Sequence, residues 1–246
     1  MRTCGRAATV AAALVSWLAA PTYAQQGGAA PAAGRGRAPG APSPVRLFNM
    51  TLQNNTRLPL AQASVTTPNV DLQMYGDGGN IIVATGSGAD FPRTFFGLCK
   101  GPCGFTLRDR SNYFDLRGRA NIRFTTIVSG FHRVRTIVKL ADGALLIGDQ
   151  AEGSVADYHQ YTISFSEVRW LRLDPVRGVT LGTWVQNPDL SKVDEVGYFD
   201  VIPGSGAHTE GLPVEKQPPP PVGGWIAVSA FELWGAPVGR TPAQPR

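Results

Sequence analysis

The chain has 246 residues, 43% of them hydrophobic, a formal charge of +5 and three cysteines. Setting aside Arg2, Arg6, Arg35, Arg37, Arg240 and Arg246 leaves 17 basic and 18 acidic residues, a net of −1. The composition therefore gives little support to a general electrostatic affinity for nucleic acid or anionic membrane, and the length between the charged ends is enough for one sizeable core.

Met1 to Ala24 reads as a cleaved secretory signal peptide. Arg2 and Arg6 give a positive start, Ala7 to Ala20 is apolar, and Thr22-Tyr23-Ala24 ends on a small residue. The apolar run is about 14 residues, short of the roughly 20 that span a bilayer. The expectation is a secreted or periplasmic protein, cut after Ala24, with no transmembrane segment in the mature chain. Gln25 to Pro44 is almost wholly Gly, Ala and Pro and is expected to be a disordered linker. Ala236 to Arg246 has the same character, which leaves 45–235 as one folded domain and 236–246 as a disordered tail.

Within the domain, strand signals recur at short intervals. Val70 to Tyr75 precedes Gly76-Asp-Gly-Gly79, and Asn80 to Thr85 precedes Gly86-Ser-Gly88. Asn121 to Val128 alternates, with Ile122, Phe124, Thr126 and Val128 on one face and Arg123 and Thr125 on the other. Ser129-Gly130 then turns the chain into its central stretch. Val134, Thr136, Val138 and Leu140 there form a mostly apolar face; Phe131, Arg133, Arg135, Ile137 and Lys139 form a largely cationic one. Asp142-Gly143 supplies a tight turn and Ala144 to Ile147 returns, which makes a β-hairpin. Tyr161 to Phe165, Val168 to Leu173, Val179 to Val185, Val196 to Ile202 and Trp225 to Trp234 complete the series. Helical periodicity is nearly absent. The pattern predicts an all-β fold, a sandwich or barrel of antiparallel strands, with Pro213 to Pro221 in a surface loop.

Charge divides along the chain. Phe91 to Leu140 carries ten basic and two acidic residues; Ala141 to Glu232 carries five basic and thirteen acidic ones. Either neighbouring strands from the two halves pair their charges across a sheet, or a basic surface meets an acidic ligand.

Several segments share an order with a known fold. They are Ser111-Asn-Tyr-Phe-Asp-Leu116, the arginine-bearing hairpin, Tyr158-His-Gln-Tyr161, Asp189 to Tyr198, and the closing Trp225-Ile-Ala-Val-Ser-Ala-Phe-Glu-Leu-Trp-Gly235. In this order they resemble the galactose-binding-domain-like jelly roll, a two-sheet sandwich shared by carbohydrate-binding modules and the complex I intermediate-associated family. The resemblance runs from about Leu107 to Gly235. It implies a fold and no particular binding residue, because the glycan-binding members do not share a fixed set of contacts.

Cys99 and Cys103 are the only cysteines of the expected mature chain, and in an oxidising compartment they read as a disulfide across Gly101-Pro102. A redox or metal pair is the rival, but three residues intervene and no further Cys or His stands nearby. His132, His159 and His208 belong to no catalytic signature, and His132 reads as facing solvent or a rim. Gly204-Ser-Gly-Ala-His208 lacks the spacing of a nucleophile elbow. Asp194-Glu195, and Asp149 with Glu152, are carboxylate pairs of the kind a glycosidase needs, though pairs also arise by chance among thirteen acids. Asp77-Gly-Gly-Asn80 fits either a structural calcium or simple turn chemistry; no other cofactor or metal is expected.

Binding residues are sought among arginines and aromatics, since flat rings stack on sugar C–H faces and planar donors meet hydroxyls and carboxylates. Arg123, Arg133, Arg135 and Lys139 are expected on one side of adjacent strands, with Tyr158, Trp170 and Trp184 as platforms unless the tryptophans belong to the core. The leading expectation is an exported binding module for a carbohydrate, including an acidic glycan. A polysaccharide hydrolase or lyase and a protein-assembly module are the alternatives.

Overall fold

The computed structural model describes residues 43–54, 58–85, 91–203 and 224–240. The expected leader, the expected linker as far as residue 42, Gly86-Ser-Gly88, Gly204 to His208 and Pro213 to Pro221 lie outside the described residues.

The strands run in chain order as β1 (Val45–Met50), β2 (Leu58–Pro59), β3 (Val70–Gly76), β4 (Ile82–Ala84) and β5 (Arg93–Phe95). Next come β6 (Cys103–Asp109), β7 (Asn112–Asp115), β8 (Asn121–Gly130), β9 (Val134–Leu140) and β10 (Leu145–Glu152). The last are β11 (His159–Ser164), β12 (Trp170–Asp174), β13 (Val179–Val185), β14 (Val193–Asp200) and β15 (Gly224–Gly239). All named pairings are antiparallel. One sheet is ordered β11-β8-β15-β5-β4-β2, with β1 along the second half of β15. The other is ordered β13-β12-β10-β9-β14-β6-β3, with β7 meeting β14 at Val193.

Alternation decides what lies between them. Ile122, Phe124 and Val128 of β8 and Phe231 and Leu233 of β15 meet Val134 and Val138 of β9 and Val196 and Tyr198 of β14 in one buried cluster. The two layers are also tied by a hydrogen bond. The buried Tyr198 hydroxyl lies 2.6 Å from Thr94 Oγ1, which reaches Val228 O at 3.1 Å.

The central hairpin forms as its sequence predicts. Lys139 pairs with Leu145, Val138 with Leu146 and Ile137 with Ile147. Gly143 takes φ +89° and its N–H donates to Leu140 O at 2.9 Å, while Ala144 N–H donates to the Asp142 carboxylate. β10 then bulges, so that Arg135 comes opposite Ala151.

Three expectations need correction. First, β8 and β9 are not neighbours: β8 pairs with β15 and β11, and the left-handed Gly130 (φ +68°) precedes the passage into the other layer. Arg123 therefore stands apart from Arg133, Arg135 and Lys139. Second, the face of β9 carrying Arg135 and Lys139 is not an open cationic surface. Ile137, Leu145, Ile147, Leu173 and Phe199 form a second apolar cluster on it. The turn after β12 reaches across this face, since Gly76 N–H donates to Pro175 O at 3.4 Å and a Cβ at Gly178 would lie 2.9 Å from both Phe199 and Pro102. Third, the expected tail is part of the fold as far as residue 240. Ala236 to Gly239 pair with Asp115 to Asn112, and the Arg240 guanidinium lies over Tyr113 at 4.1 Å and binds Asp194 at 2.6 Å. The Cys99–Cys103 disulfide is formed, with a Cα–Cα distance of 6.4 Å.

Candidate functional site

Lys139 is committed to structure. Its ammonium donates to Glu195 Oε1 at 2.8 Å, and Glu195 is only 2% exposed. The hydroxyls of Tyr75 and Thr106 donate to Glu195 Oε2 at 2.5 and 2.6 Å, so three donors from three strands converge on one carboxylate. Burial first, then the Glu195 carboxylate, pushes the Tyr75 phenol far above its ordinary range. Arg108 and Asp194 form a second pair at 3.0 Å. The two halves of the chain thus pair charges across the sheet at Lys139–Glu195 and Arg108–Asp194.

The arginines behave differently. Among the described residues no carboxylate pairs with Arg123, Arg133 or Arg135. Arg123 lies over the Trp234 ring at 5.2 Å, on the other layer. Arg133 donates to the His132 carbonyl at 3.2 Å, and Arg135 Nε donates to Gly148 O at 2.7 Å. Burial draws the Arg135 guanidinium below the usual arginine range, with Asp149 acting the other way.

The two tryptophans separate by strand parity. Trp170, opposite Gly148, is 2% exposed, stacks on Phe165 with centroids 6.3 Å apart and belongs to the core. Trp184, opposite Leu171 at the sheet edge, is 43% exposed. The Arg169 guanidinium lies 4.7 Å from its centroid and is held in turn by Asp149, with Nε to Oδ2 at 2.7 Å. Burial alone would raise Asp149, but the Arg169 side-chain and backbone hydrogen bonds outweigh it and hold the carboxyl below its ordinary range. Trp184 and Arg169 line a pocket of about 420 Å³ together with Ser166, Gln186, Asn187 and Pro188. Asn187 sits at φ +46°, a conformation asparagine tolerates, as the chain leaves β13. Tyr158 is elsewhere: it packs against Phe91 at 5.1 Å on the outer side of the β8 layer.

A scan against protein-family models finds no match, and a search of curated proteins finds none either. Solved structures do match. The family 11 carbohydrate-binding module of the cellulosomal cellulase Lic26A-Cel5E of Clostridium thermocellum shares 14% identity, with 75% of this chain and 97% of that one covered, at a TM-score of 0.40. A mutant of the family 29 module CBM29-2 shares 12% identity, with coverages of 77% and 93% and a TM-score of 0.39. An exo-beta-agarase gives 11% identity, 78% of this chain and a TM-score of 0.40. The chain spans 25% of the agarase and 24% of PfGH50B, which it matches at 14% identity, 70% of this chain and a TM-score of 0.38. The fold is distantly similar to carbohydrate-binding modules. Scores at this level carry no functional argument, which rests on this chain's own residues.

Asp77 accepts from the Asn80 side chain at 2.8 Å and from Lys100 and Gly101 N–H groups, as turn chemistry requires. Among the described residues no group of three or more His, Cys, Asp or Glu stands together. Asp194 and Glu195 are held by cations and do not face one another across a cleft. His132, expected at a rim, is 1% exposed because Nδ1 meets Asp200 Oδ2 at 2.5 Å; its Nε2 has no hydrogen-bond partner. Burial raises the Asp200 carboxyl, and His132 offsets part of that. Arg169, Gln186 and Asn187 were invisible to a search for arginine-bearing hairpins. The signal that could have found them is the strand Val179–Val185 itself, uncharged except by its neighbours, with Trp184 on its outward parity.

Proposed function

We propose that this chain is an exported, non-catalytic carbohydrate-binding module of galactose-binding-domain-like fold, whose ligand stacks on Trp184. The observation that carries the reading is a half-exposed indole in a pocket of about 420 Å³, with the Arg169 guanidinium over one ring face and Gln186 and Asn187 among the lining residues. An aromatic face with polar side chains beside it suits a sugar ring, which presents C–H groups on its faces and hydroxyls on its edge. Of the carboxylate pairs singled out above, Asp149, Asp194 and Glu195 are each held by a cation, which favours binding over glycoside cleavage, a reaction that needs two free carboxyls about 5–10 Å apart. Affinity electrophoresis through gels containing neutral and acidic polysaccharides tests this. Retardation by at least one polymer, weakened roughly tenfold or more by Trp184→Ala, is expected for a central aromatic contact. A chain that migrates unretarded through every gel refutes it.

An assembly role is the second reading, favoured by Val179 and Leu181, which are exposed on the edge strand β13 where no charged residue guards the open backbone. Light scattering that gives a monomer mass at all concentrations would remove it.

A further inference from the structure

Arginines in this fold are mostly held by acids: Arg108 and Arg240 by Asp194, Arg110 by Asp71, Arg117 by Asp115, Arg169 by Asp149 and Arg177 by Asp174. Arg133, just before β9, and Arg135, on it, are exceptions, and each donates only to a backbone carbonyl. Arg135 is the costlier of the two. It is half-buried between Phe199 of β14 and Ala151 of β10, with a single hydrogen bond, from Nε; among the described residues its remaining N–H groups have no acceptor and are left to solvent. Withdrawing a cation from water without a counter-ion is unfavourable unless something else supplies the charge.

Position says what that something meets. Alternation puts Arg135 on the same face as Ile137 and Lys139, Asp149 with Ile147, Arg169 with Leu171, and Trp184 opposite Leu171. Asp149 is adjacent to Arg135 electrostatically and yet is already gripped by Arg169 through its side chain and backbone. The row from Trp184 through Arg169 and Asp149 to Arg135 therefore carries one unmatched positive charge, and Arg133 adds another. Trp184 is in register with Ile137 through Leu171 and Ile147, so three strand spacings and a two-residue offset put Trp184 and Arg135 about 16 Å apart, the span of a short oligosaccharide.

Resting on the carbohydrate-binding reading above, we infer that the ligand is an anionic glycan, one sugar stacking on Trp184 while a carboxylate or sulfate further along the polymer is received by the guanidinium of Arg135, assisted by Arg133. A planar guanidinium with free N–H groups matches such oxyanions in a fork geometry that an ammonium cannot reproduce.

The test uses the full chain and three acid–neutral pairs that share a backbone: polygalacturonate and its methyl ester, alginate and its propylene glycol ester, dextran sulfate and dextran. At least one acidic member should bind roughly tenfold more tightly than its neutral partner, as one charge-assisted hydrogen bond contributes. Arg135→Gln should abolish that preference, leave the neutral affinity unchanged, and flatten the salt dependence. Arg133→Gln, at an exposed position that folding does not depend on, should lower the preference in part. Equal affinity within every pair, or a loss in Arg135→Gln that is the same for both members, overturns the anionic assignment and leaves carbohydrate binding standing. Binding to none of the six overturns both.

Discussion

Glu195→Ala offers the sharpest test of how the second layer is held. The substitution removes the acceptor shared by Lys139, Tyr75 and Thr106. Removing one partner of a buried ion pair costs about 3–5 kcal/mol. Lys139 is 33% exposed, so water recovers part of its charge. The Tyr75 hydroxyl can also turn toward solvent, whereas Thr106 is wholly buried and is left with an unsatisfied donor, a cost of about 1–3 kcal/mol. These terms overlap, and the expected net loss is about 3 kcal/mol, or roughly 6–12 °C in Tm for a domain of this size. Urea unfolding followed by tryptophan fluorescence measures it directly. Lys139→Met should cost less than Glu195→Ala, because two hydroxyls still solvate the carboxylate. In a cycle with Glu195→Gln, the Lys139→Met double variant should recover about 1–3 kcal/mol of the summed losses. A Glu195→Ala protein within about 0.5 kcal/mol of wild type, the range of ordinary surface changes, would refute the reasoning.

Trp170→Ala should lose about 3–5 kcal/mol in the same assay while Trp184→Ala loses under about 1 kcal/mol, since only the first empties a core site. Replacing Cys99 and Cys103 by Ser opens a five-residue loop and should cost about 2 kcal/mol by loop entropy, seen as a lower urea midpoint at unchanged slope. Asp149 has a folded-state pKa below that of the unfolded chain, near 3.9. Its contribution is therefore complete above about pH 5 and is lost as pH falls through the lower folded value. Wild type should exceed Asp149→Asn by up to about 1 kcal/mol on that plateau, with Arg169 largely exposed, and the curves should merge once the pH lies below the folded value.

What the sequence made legible was local. The two-residue period of Val134 to Leu140 and the turn chemistry of Asp142-Gly143 operate between near neighbours, and the hairpin they specify is present. Val179–Val185 was likewise readable to the residue. Layer membership was not, because nothing in Ser129-Gly130 states whether a turn returns a strand to its own sheet or delivers it to the other. Trp170 and Trp184 are the same residue type in adjacent strands; only the placement of the core distinguishes them. Glu195 looked like half of a chance acidic pair, and its burial depends on Tyr75 and Thr106, 120 and 89 residues away in sequence. The end of the domain was missed for a different reason: Ala236-Pro237 reads as a strand stop, yet the strand continues through Pro237, opposite Phe114.

That last strand has a mechanical consequence. β15 pairs with β8 over Gly224 to Trp234 and with β7 over Ala236 to Gly239, so a single continuous backbone is a member of both layers. Neither layer can slide or peel away while the other stays intact, for the shared strand would have to leave both ladders at once. Heating should therefore melt the molecule in one step, with calorimetric and van't Hoff enthalpies equal, and tension applied to the C-terminus would be resisted by two interfaces in series.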